Sequence, residues 1–259
     1  MSEAVLLTID GPIATVTLNR PEAYNSLNAE MTELLNQILP KLERNDAVKV
    51  VILSGNGPAF MAGGDIKSFA KAMSLAQEEK RGTFERLVQN VHPIVTSLRR
   101  MPKPVIAQVH GAVAGFGMSL LMSCDLALAA DDSYYTLAYC HIGTSPDGGS
   151  TFGLPRLVGA KKAMEIALLG ERFDAATAEK LGLVNRVVPA AELAVLLHQG
   201  PPTDIDITYG ELGAYAAAHE ISIEGPLREY YLVDAQETPN SEGWRTEIGW
   251  PIFRSDGEP

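Results

Sequence analysis

Apolar and polar residues follow a regular pattern in the first part of the chain. Residues 5–10 alternate, and the run 13–18 returns after an Asp-Gly-Pro turn, which predicts a hairpin. Asn28 is a good helix N-cap, and apolar residues recur at helical spacing from there to Leu42. An apolar strand at 49–54 comes next. The order is thus hairpin, helix, strand.

The same alternation of strands and helices continues to about residue 190. Further strands are predicted at 105–109, 126–130 and 134–137, and helices at 68–99, 160–169 and 175–181, with a loop over 142–152. Strands that alternate with helices at this spacing form β-α units with parallel strands and right-handed crossovers. The predicted fold class is therefore α/β.

One stretch, residues 105–125, combines a buried strand, three glycines and an apolar helix. Gly111, Gly115 and Gly117 separate the strand from the apolar run 118–122. A strand that turns through glycines into a helix leaves free N–H groups at the helix start, where negative charge is favoured. Such a turn suits an anion or an oxyanion. The simpler interpretation is a tight strand-to-helix turn.

Composition divides the chain of 259 residues into two parts. Residues 191–259 contain 13 of the 32 acidic residues but only three of the 21 basic ones, and both tryptophans, so two modules are expected. Net charge is −11 and no basic stripe is present, which argues against nucleic acid as a partner. Cys124 and Cys140 lie in apolar surroundings, which indicates a reducing compartment such as the cytoplasm. Neither a signal peptide nor a membrane span is expected.

Most familiar motifs are excluded. Gly115-Phe116-Gly117 opens like a dinucleotide fingerprint, but Leu120 occupies the place of the third glycine. Neither Ser119 nor Ser150 has the glycines that flank a nucleophilic serine, and the five histidines lack metal-ligand spacing. Two glycine turns remain, one within residues 60–66 and one at 111–117, together with Asp147 in a glycine-rich loop. Taken alone, Pro-Asp-Gly at this position is a turn signal.

Five ordered segments resemble the crotonase (enoyl-CoA hydratase/isomerase) superfamily over about residues 4–190. They are LNRPEAYNSLNAEM from Leu18, FMAGGDI from Phe60, HGAVAGFGMSLLMSCD from His110, HIGTSPDGGSTFGLPRLVG from His141 and ATAEKLGLVNRVVP from Ala176. The resemblance implies a spiral of β-β-α units that binds an acyl-CoA thioester. It also implies assembly as trimers or as dimers of trimers.

The resemblance also assigns candidate site residues. Two backbone N–H groups hold the thioester enolate in this family, and the matching positions here are Gly64 and Phe116. Phe116 replaces a common glycine, which is tolerable if its ring points away from the thioester. Ala62, Gly64, Asp65 and Ile66 match the CoA-binding edge. Coenzyme A is part of the substrate, and neither a further cofactor nor a metal is expected.

The acidic residues indicate which reaction is expected. Hydratases of the family use two glutamates, but Ser119 stands at the first position and the segment 138–140, Ala-Tyr-Cys, aligns with the second. The Δ3,Δ2-enoyl-CoA isomerases and the epoxyphenylacetyl-CoA isomerases place a single acid in the next loop, where Asp147 stands. One carboxylate can shuttle a proton between C2 and C4, so an isomerase is predicted with Asp147 as its catalytic acid and base. Leu137, Tyr139 and Phe152 are candidate walls of its pocket. Hydration or another crotonase chemistry is the alternative.

The C-terminal part departs from this family, whose members normally continue with three helices. Here 193–199 predicts a strand, 206–221 a helix, and 228–234 and 244–250 two strands. GPLREYYLVD from Gly225 and RTEIGWPIF from Arg245 resemble half of the effector-binding domain of bacterial multidrug-responsive transcription regulators. Two domains, 1–190 and 191–259, are therefore predicted, whether by natural fusion, engineering or frame disruption. A small-molecule-binding module on a degraded crotonase scaffold is the alternative of another class.

Overall fold

A computed structural model of the chain describes residues 3–190 and the strands at 192–199, 222–223, 228–233 and 245–253. The chain forms two compact units, residues 1–189 and 190–259. The helices are α1 Ala29–Arg44, α2 Ile66–Met73, α3 Gln77–Arg100, α4 Phe116–Ser123, α5 Ser150–Val158, α6 Ala160–Leu169 and α7 Ala175–Lys180. Short 3-10 helices lie at Pro21–Ala23 and Tyr139–Ile142.

Two sheets build the first unit. The strands are β1 Val5–Asp10, β2 Ile13–Leu18, β3 Val50–Gly55, β4 Ala59–Met61, β5 Val105–Val109, β6 Ala112–Ala114, β7 Leu126–Ala130, β8 Tyr134–Thr136, β9 Phe173–Asp174 and β10 Arg186–Val188. The main sheet has the order β1-β2-β3-β5-β7-β10, with only β1 antiparallel to its neighbour. The second sheet has the order β4-β6-β8-β9. The predicted hairpin and parallel β-α units are confirmed.

Helix α1 illustrates how sequence pattern becomes packing. The Asn28 side chain accepts a hydrogen bond from Met31 N at 2.8 Å and so satisfies one free donor of the first turn. The buried face of the helix consists of Met31, Thr32, Leu35, Leu39 and Leu42. Spacings of three and four residues place these side chains on one stripe, which packs into the core.

The central stretch is buried as its apolar composition predicts. All eight residues of α4 are buried, and the helix begins directly after the turn at Gly115. A Cβ on Gly117 would lie 2.4 Å from the carbonyl oxygen of Met61, the last residue of β4. Only glycine at this position lets the first turn of α4 approach the end of β4 so closely.

The second unit is a small antiparallel sheet whose strands are β11 Glu192–Gln199, β12 Ser222–Ile223, β13 Arg228–Val233 and β14 Arg245–Phe253. The long strand β14 pairs with each of the other three. The three predicted strands of the tail are therefore observed, together with the short β12. The predicted helix over 206–221 lies outside the described residues.

Candidate active site

Three parallel strands of the second sheet end at the same edge. β4 pairs with β6 and β6 pairs with β8, each pair in parallel. β4 leads into the glycine turn at 62–64, β6 leads into Gly115, and β8 leads toward Tyr139. Because carboxyl ends of parallel strands meet at one edge, residues far apart in sequence converge there, as in other open α/β sheets.

The N–H group of Gly64 points away from the backbone bridge that joins this turn to Leu27. Gly63 O accepts a hydrogen bond from Leu27 N at 2.7 Å, and Asp65 N donates to Leu27 O at 3.0 Å. This parallel bridge uses the peptides on both sides of Gly64, so the N–H of Gly64 itself faces the other way. No acceptor for that N–H is found among the described residues.

Phe116 is the first residue of α4, where a backbone N–H has no partner within the helix. Within the described part of the chain its N–H has no acceptor outside the helix either. The Phe116 side chain is only 4% exposed, and a Cβ on Gly148 would lie 2.7 Å from the ring. The ring therefore packs beneath the loop that carries Asp147, while the N–H stays at the helix start.

The two glycine turns contact each other. A Cβ on Gly63 would lie 3.3 Å from the Ala114 carbonyl oxygen and 3.6 Å from the Cα of Gly115. Gly64 and Phe116 each follow one of these touching residues. The two unpartnered N–H groups thus lie on adjacent turns, an arrangement that suits a carbonyl oxygen on which negative charge develops.

The other predicted binding residues, Ala62, Asp65 and Ile66, lie in the turn that leads from β4 into α2. Ala62 N donates to Tyr24 O at 2.9 Å, and Ile66 is 62% exposed. Asp65 accepts hydrogen bonds from Lys67 N at 3.0 Å and from Arg20 Nη2 at 3.1 Å. Burial raises the pKa of Asp65, but the hydrogen bonds from Arg20 and from the backbone together with the Arg20 charge outweigh burial and lower it below its usual value.

This ion pair predicts how stability depends on pH. Because the pKa of Asp65 is lower in the folded state than in the unfolded chain, its contribution is complete above about pH 4 and is lost as pH falls through the folded pKa. Urea unfolding of the wild type and of Asp65→Asn should therefore differ most at pH 6, and the difference should shrink toward pH 3. A difference that stays constant over this range would contradict the assignment.

Asp147 sits in a loop held by hydroxyl groups. The carbonyl oxygen of Asp147 accepts hydrogen bonds from Ser119 Oγ at 3.1 Å, from Ser150 Oγ at 2.6 Å and from Ser150 N at 3.0 Å. The Tyr139 hydroxyl donates to Asp147 Oδ1 at 2.5 Å. Since Ser119 lies one turn after Phe116 on α4, the loop that carries Asp147 packs on the first turn of this helix.

A cavity of about 280 Å³ lies on one face of the second sheet. It is lined by Ala62, Ala112, Ala114, Tyr134, Thr136, Ala138, His141, Gly170 and Arg172. It shares Ala62 with the candidate site but contains neither Phe116 nor Asp147. Thr136 Oγ1 and His141 Nε2 both contact Gly170 O, at 2.9 Å each, so these polar side chains already have a partner.

Comparison with known proteins agrees with this geometry. The family model for enoyl-CoA hydratase/isomerase matches residues 8–197. The chain belongs to this family. The 1,2-epoxyphenylacetyl-CoA isomerase of Escherichia coli is 36% identical over 194 residues, which are 75% of this chain and 73% of that protein. The trans-2-decenoyl-[acyl-carrier-protein] isomerase of Streptococcus mutans is 30% identical over 220 residues, 84% of this chain and 80% of the relative.

Solved structures show the same enoyl-CoA hydratase/isomerase fold. The crystal structure of an enoyl-CoA hydratase from Polaromonas sp. JS666 matches with a TM-score of 0.68 and 32% identity, covering 81% of this chain and 77% of the other. A second family model, the GyrI-like small molecule binding domain, matches residues 163–252. The predicted resemblance of the tail to an effector-binding domain is thus also confirmed. No helix in the described ranges combines the length and apolar character needed to cross a membrane.

The structure corrects two details of the sequence analysis of this crotonase-family chain. The expected loop 142–152 ends early, because α5 begins at Ser150. Phe152, a candidate wall of the pocket, is instead 56% exposed, with the Arg156 guanidinium 3.4 Å from its ring centroid. The sequence analysis does not predict the hydrogen bonds from Ser119 and Ser150 to the Asp147 carbonyl oxygen. The one sequence signal for them is that Ser119 occupies a position where hydratases of the family carry glutamate.

Proposed function

We propose that this protein is an acyl-CoA isomerase that shifts a double bond through a thioester enolate. In this proposal the N–H groups of Gly64 and Phe116 hold the thioester oxygen. Asp147 removes a proton from C2 and returns it at C4. The observation that supports it most directly is a single carboxylate in the loop that packs on the first turn of α4. By the resemblance, Ser119 and the segment 138–140 stand where hydratases carry their two glutamates.

The proposed chemistry needs no other protein group. Loss of the C2 proton moves an electron pair into the carbonyl, and the two N–H donors stabilise the resulting oxyanion. Protonation at C4 returns the pair and leaves the conjugated 2-enoyl thioester, with Asp147 ionised again. Two relatives whose names include isomerase support an isomerisation of this type.

The binding edge is proposed to consist of backbone more than side chains. The Asp65 carboxylate is engaged by Arg20 and by the start of α2, so it holds the turn in shape while Ala62 and Gly64 face the thioester. Ile66 is exposed and available to an adenine or pantetheine group. Assembly as a trimer or hexamer stays a prediction of the resemblance, and a cytoplasmic location stays a prediction from the two cysteines.

The test is product identity with the full-length protein. 3-Hexenoyl-CoA should be converted to 2-hexenoyl-CoA, and 2-hexenoyl-CoA should give no 3-hydroxyhexanoyl-CoA, both followed by liquid chromatography and mass spectrometry. 1,2-Epoxyphenylacetyl-CoA, whose epoxide lies on the ring beside a free C2 methylene, tests the ring-opening variant in parallel. Accumulation of the hydroxy product would overturn the proposal in favour of hydration.

A ligand-binding role is the second candidate, favoured by the GyrI-like match at 163–252. The same product analysis distinguishes ligand binding from catalysis. Absence of turnover for all three thioesters, combined with saturable binding of a hydrophobic cation such as tetraphenylphosphonium, would place the binding-module interpretation first.

A further inference from the structure

Tyr139 stands immediately after the third of the converging strands. It begins a 3-10 helix, preceded by Ala138 in the left-handed region at φ 58° and ψ −9°. This turn directs the phenol toward the loop eight residues further on, where its hydroxyl contacts Asp147 Oδ1. By the resemblance to the family, Tyr139 lies in the segment 138–140 that corresponds to the second glutamate of hydratases.

The Tyr139 hydroxyl is a permanent donor. Burial, followed by the charge of Asp147 and the hydrogen bond to it, raises the pKa of Tyr139 well above the usual value for tyrosine. The phenol is therefore neutral across the range in which enzymes work and holds its proton toward Oδ1. A hydrogen bond between a neutral hydroxyl and a carboxylate is among the stronger ones in proteins.

The rest of the loop leaves the carboxylate little freedom. The carbonyl of the same residue is fixed by Ser119 and Ser150, as described above. In the part of the chain that the structure describes, four groups that contact the loop from the surrounding helices are uncharged: Val95 of α3, Phe116 and Ser119 of α4, and Ser150 of α5. Within the described residues, Oδ2 of Asp147 has no hydrogen-bond partner, whereas Oδ1 is held by Tyr139.

We infer that Tyr139 is the positioning residue for the catalytic carboxylate, tying Oδ1 so that Oδ2 alone carries the proton between C2 and C4. The inference rests on the proposed function of Asp147. The hydroxyl fixes the plane of the carboxylate relative to the thioester. A tyrosine at this position thus replaces the second glutamate of the hydratases with a group that cannot serve as a base, which confines the chemistry to one carboxylate.

The test is the steady-state kinetics of Tyr139→Phe, which keeps the ring and removes the donor. We expect kcat to fall by about tenfold to a hundredfold while KM stays within about twofold. An unchanged kcat, or a rise in KM that accounts for the whole loss of kcat/KM, would overturn the inference.

Tyr135→Phe is the matched control. Its hydroxyl is also buried and hydrogen-bonded, to Ser133 Oγ at 2.9 Å, but it lies on β8 away from Asp147. This variant should keep the wild-type kcat even if it loses some thermal stability. If both variants lower kcat equally, the effect is structural and the inference fails.

A double mutant separates this inference from the proposed function. In the Asp147→Asn background, Tyr139→Phe should cause no further loss of kcat, because its effect passes through the carboxylate. Wild-type protein without isomerase activity would refute the proposed function. An active wild type with additive effects of the two substitutions would refute only the positioning role.

Discussion

Replacing Asp147 with asparagine should lower kcat for 3-hexenoyl-CoA by about 10³-fold while leaving acyl-CoA affinity nearly unchanged. General acid–base groups typically contribute 10²- to 10⁴-fold, and in the proposed reaction the same carboxylate acts in both proton transfers. Binding should be retained because the two N–H donors and the turn at 62–66 do not involve the Asp147 side chain.

The substitution is also structurally mild. The hydrogen bonds from Ser119 and Ser150 end on the main-chain carbonyl of residue 147 and survive the change. An asparagine oxygen can still accept from the Tyr139 hydroxyl. Thermal unfolding of Asp147→Asn should therefore coincide with that of the wild type within a few degrees.

The measurements are kcat from initial rates and affinity from calorimetric titration with hexanoyl-CoA, which cannot react. Asp46→Asn, in an exposed turn after α1, removes one carboxylate elsewhere and should keep full activity. If Asp147→Asn retains more than about a tenth of wild-type kcat, another group moves the proton and the assignment is wrong.

Replacing Gly117 with alanine should impair both folding and turnover. The added Cβ would meet the backbone carbonyl of Met61 at 2.4 Å, which no rotamer change can relieve. Helix α4 must then move from the end of β4, at a cost of about 1–3 kcal/mol in the free energy of unfolding. Since β4 and α4 carry the turns with Gly64 and Phe116, we expect kcat to fall by about 10²-fold as well.

Gly153→Ala provides the matched comparison. Gly153 is a helical glycine of α5, and its added Cβ would lie 3.5 Å from the Met122 Cβ, an ordinary contact. Alanine should raise the free energy of unfolding by about 0.5–1 kcal/mol, since it is the better helix former. Urea unfolding measures the free energy of unfolding of the two variants, and initial rates give their kcat. Equal stability of Gly117→Ala and wild type would show that the close approach of α4 to β4 is not required.

Much of the fold could be predicted from local chemistry. The hairpin of β1 and β2, the Asn28 cap and the turn at Gly115 each depend on neighbouring residues, and the structure confirms all three. Helix α5 was missed because Gly153 and Pro155 within it weaken the helical signal. The sequence predicts one helical segment over 68–99, but the structure has two helices there, α2 and α3. The break at 74–76 contains neither glycine nor proline, so the sequence carries no signal for it.

The candidate site was predictable only as a set of residues. The resemblance named Gly64, Phe116 and Asp147, but their proximity depends on the parallel pairing of β4, β6 and β8, which no local pattern encodes. The contact between Tyr139 and Asp147 depends further on the left-handed backbone of Ala138, an uncommon conformation for alanine that local propensity does not predict.

The hydrogen bonds from the Ser119 and Ser150 hydroxyls to the Asp147 carbonyl oxygen limit which side chains position 119 can carry. A Cβ on Gly148 would lie 2.8 Å from the Ser119 Cβ, so the loop rests directly on that small side chain. Glutamate at position 119 would place a carboxylate against the Asp147 carbonyl oxygen, to which the Ser119 hydroxyl now donates, so the loop would have to move. A second acid at this position is therefore compatible with the site only together with changes in the loop.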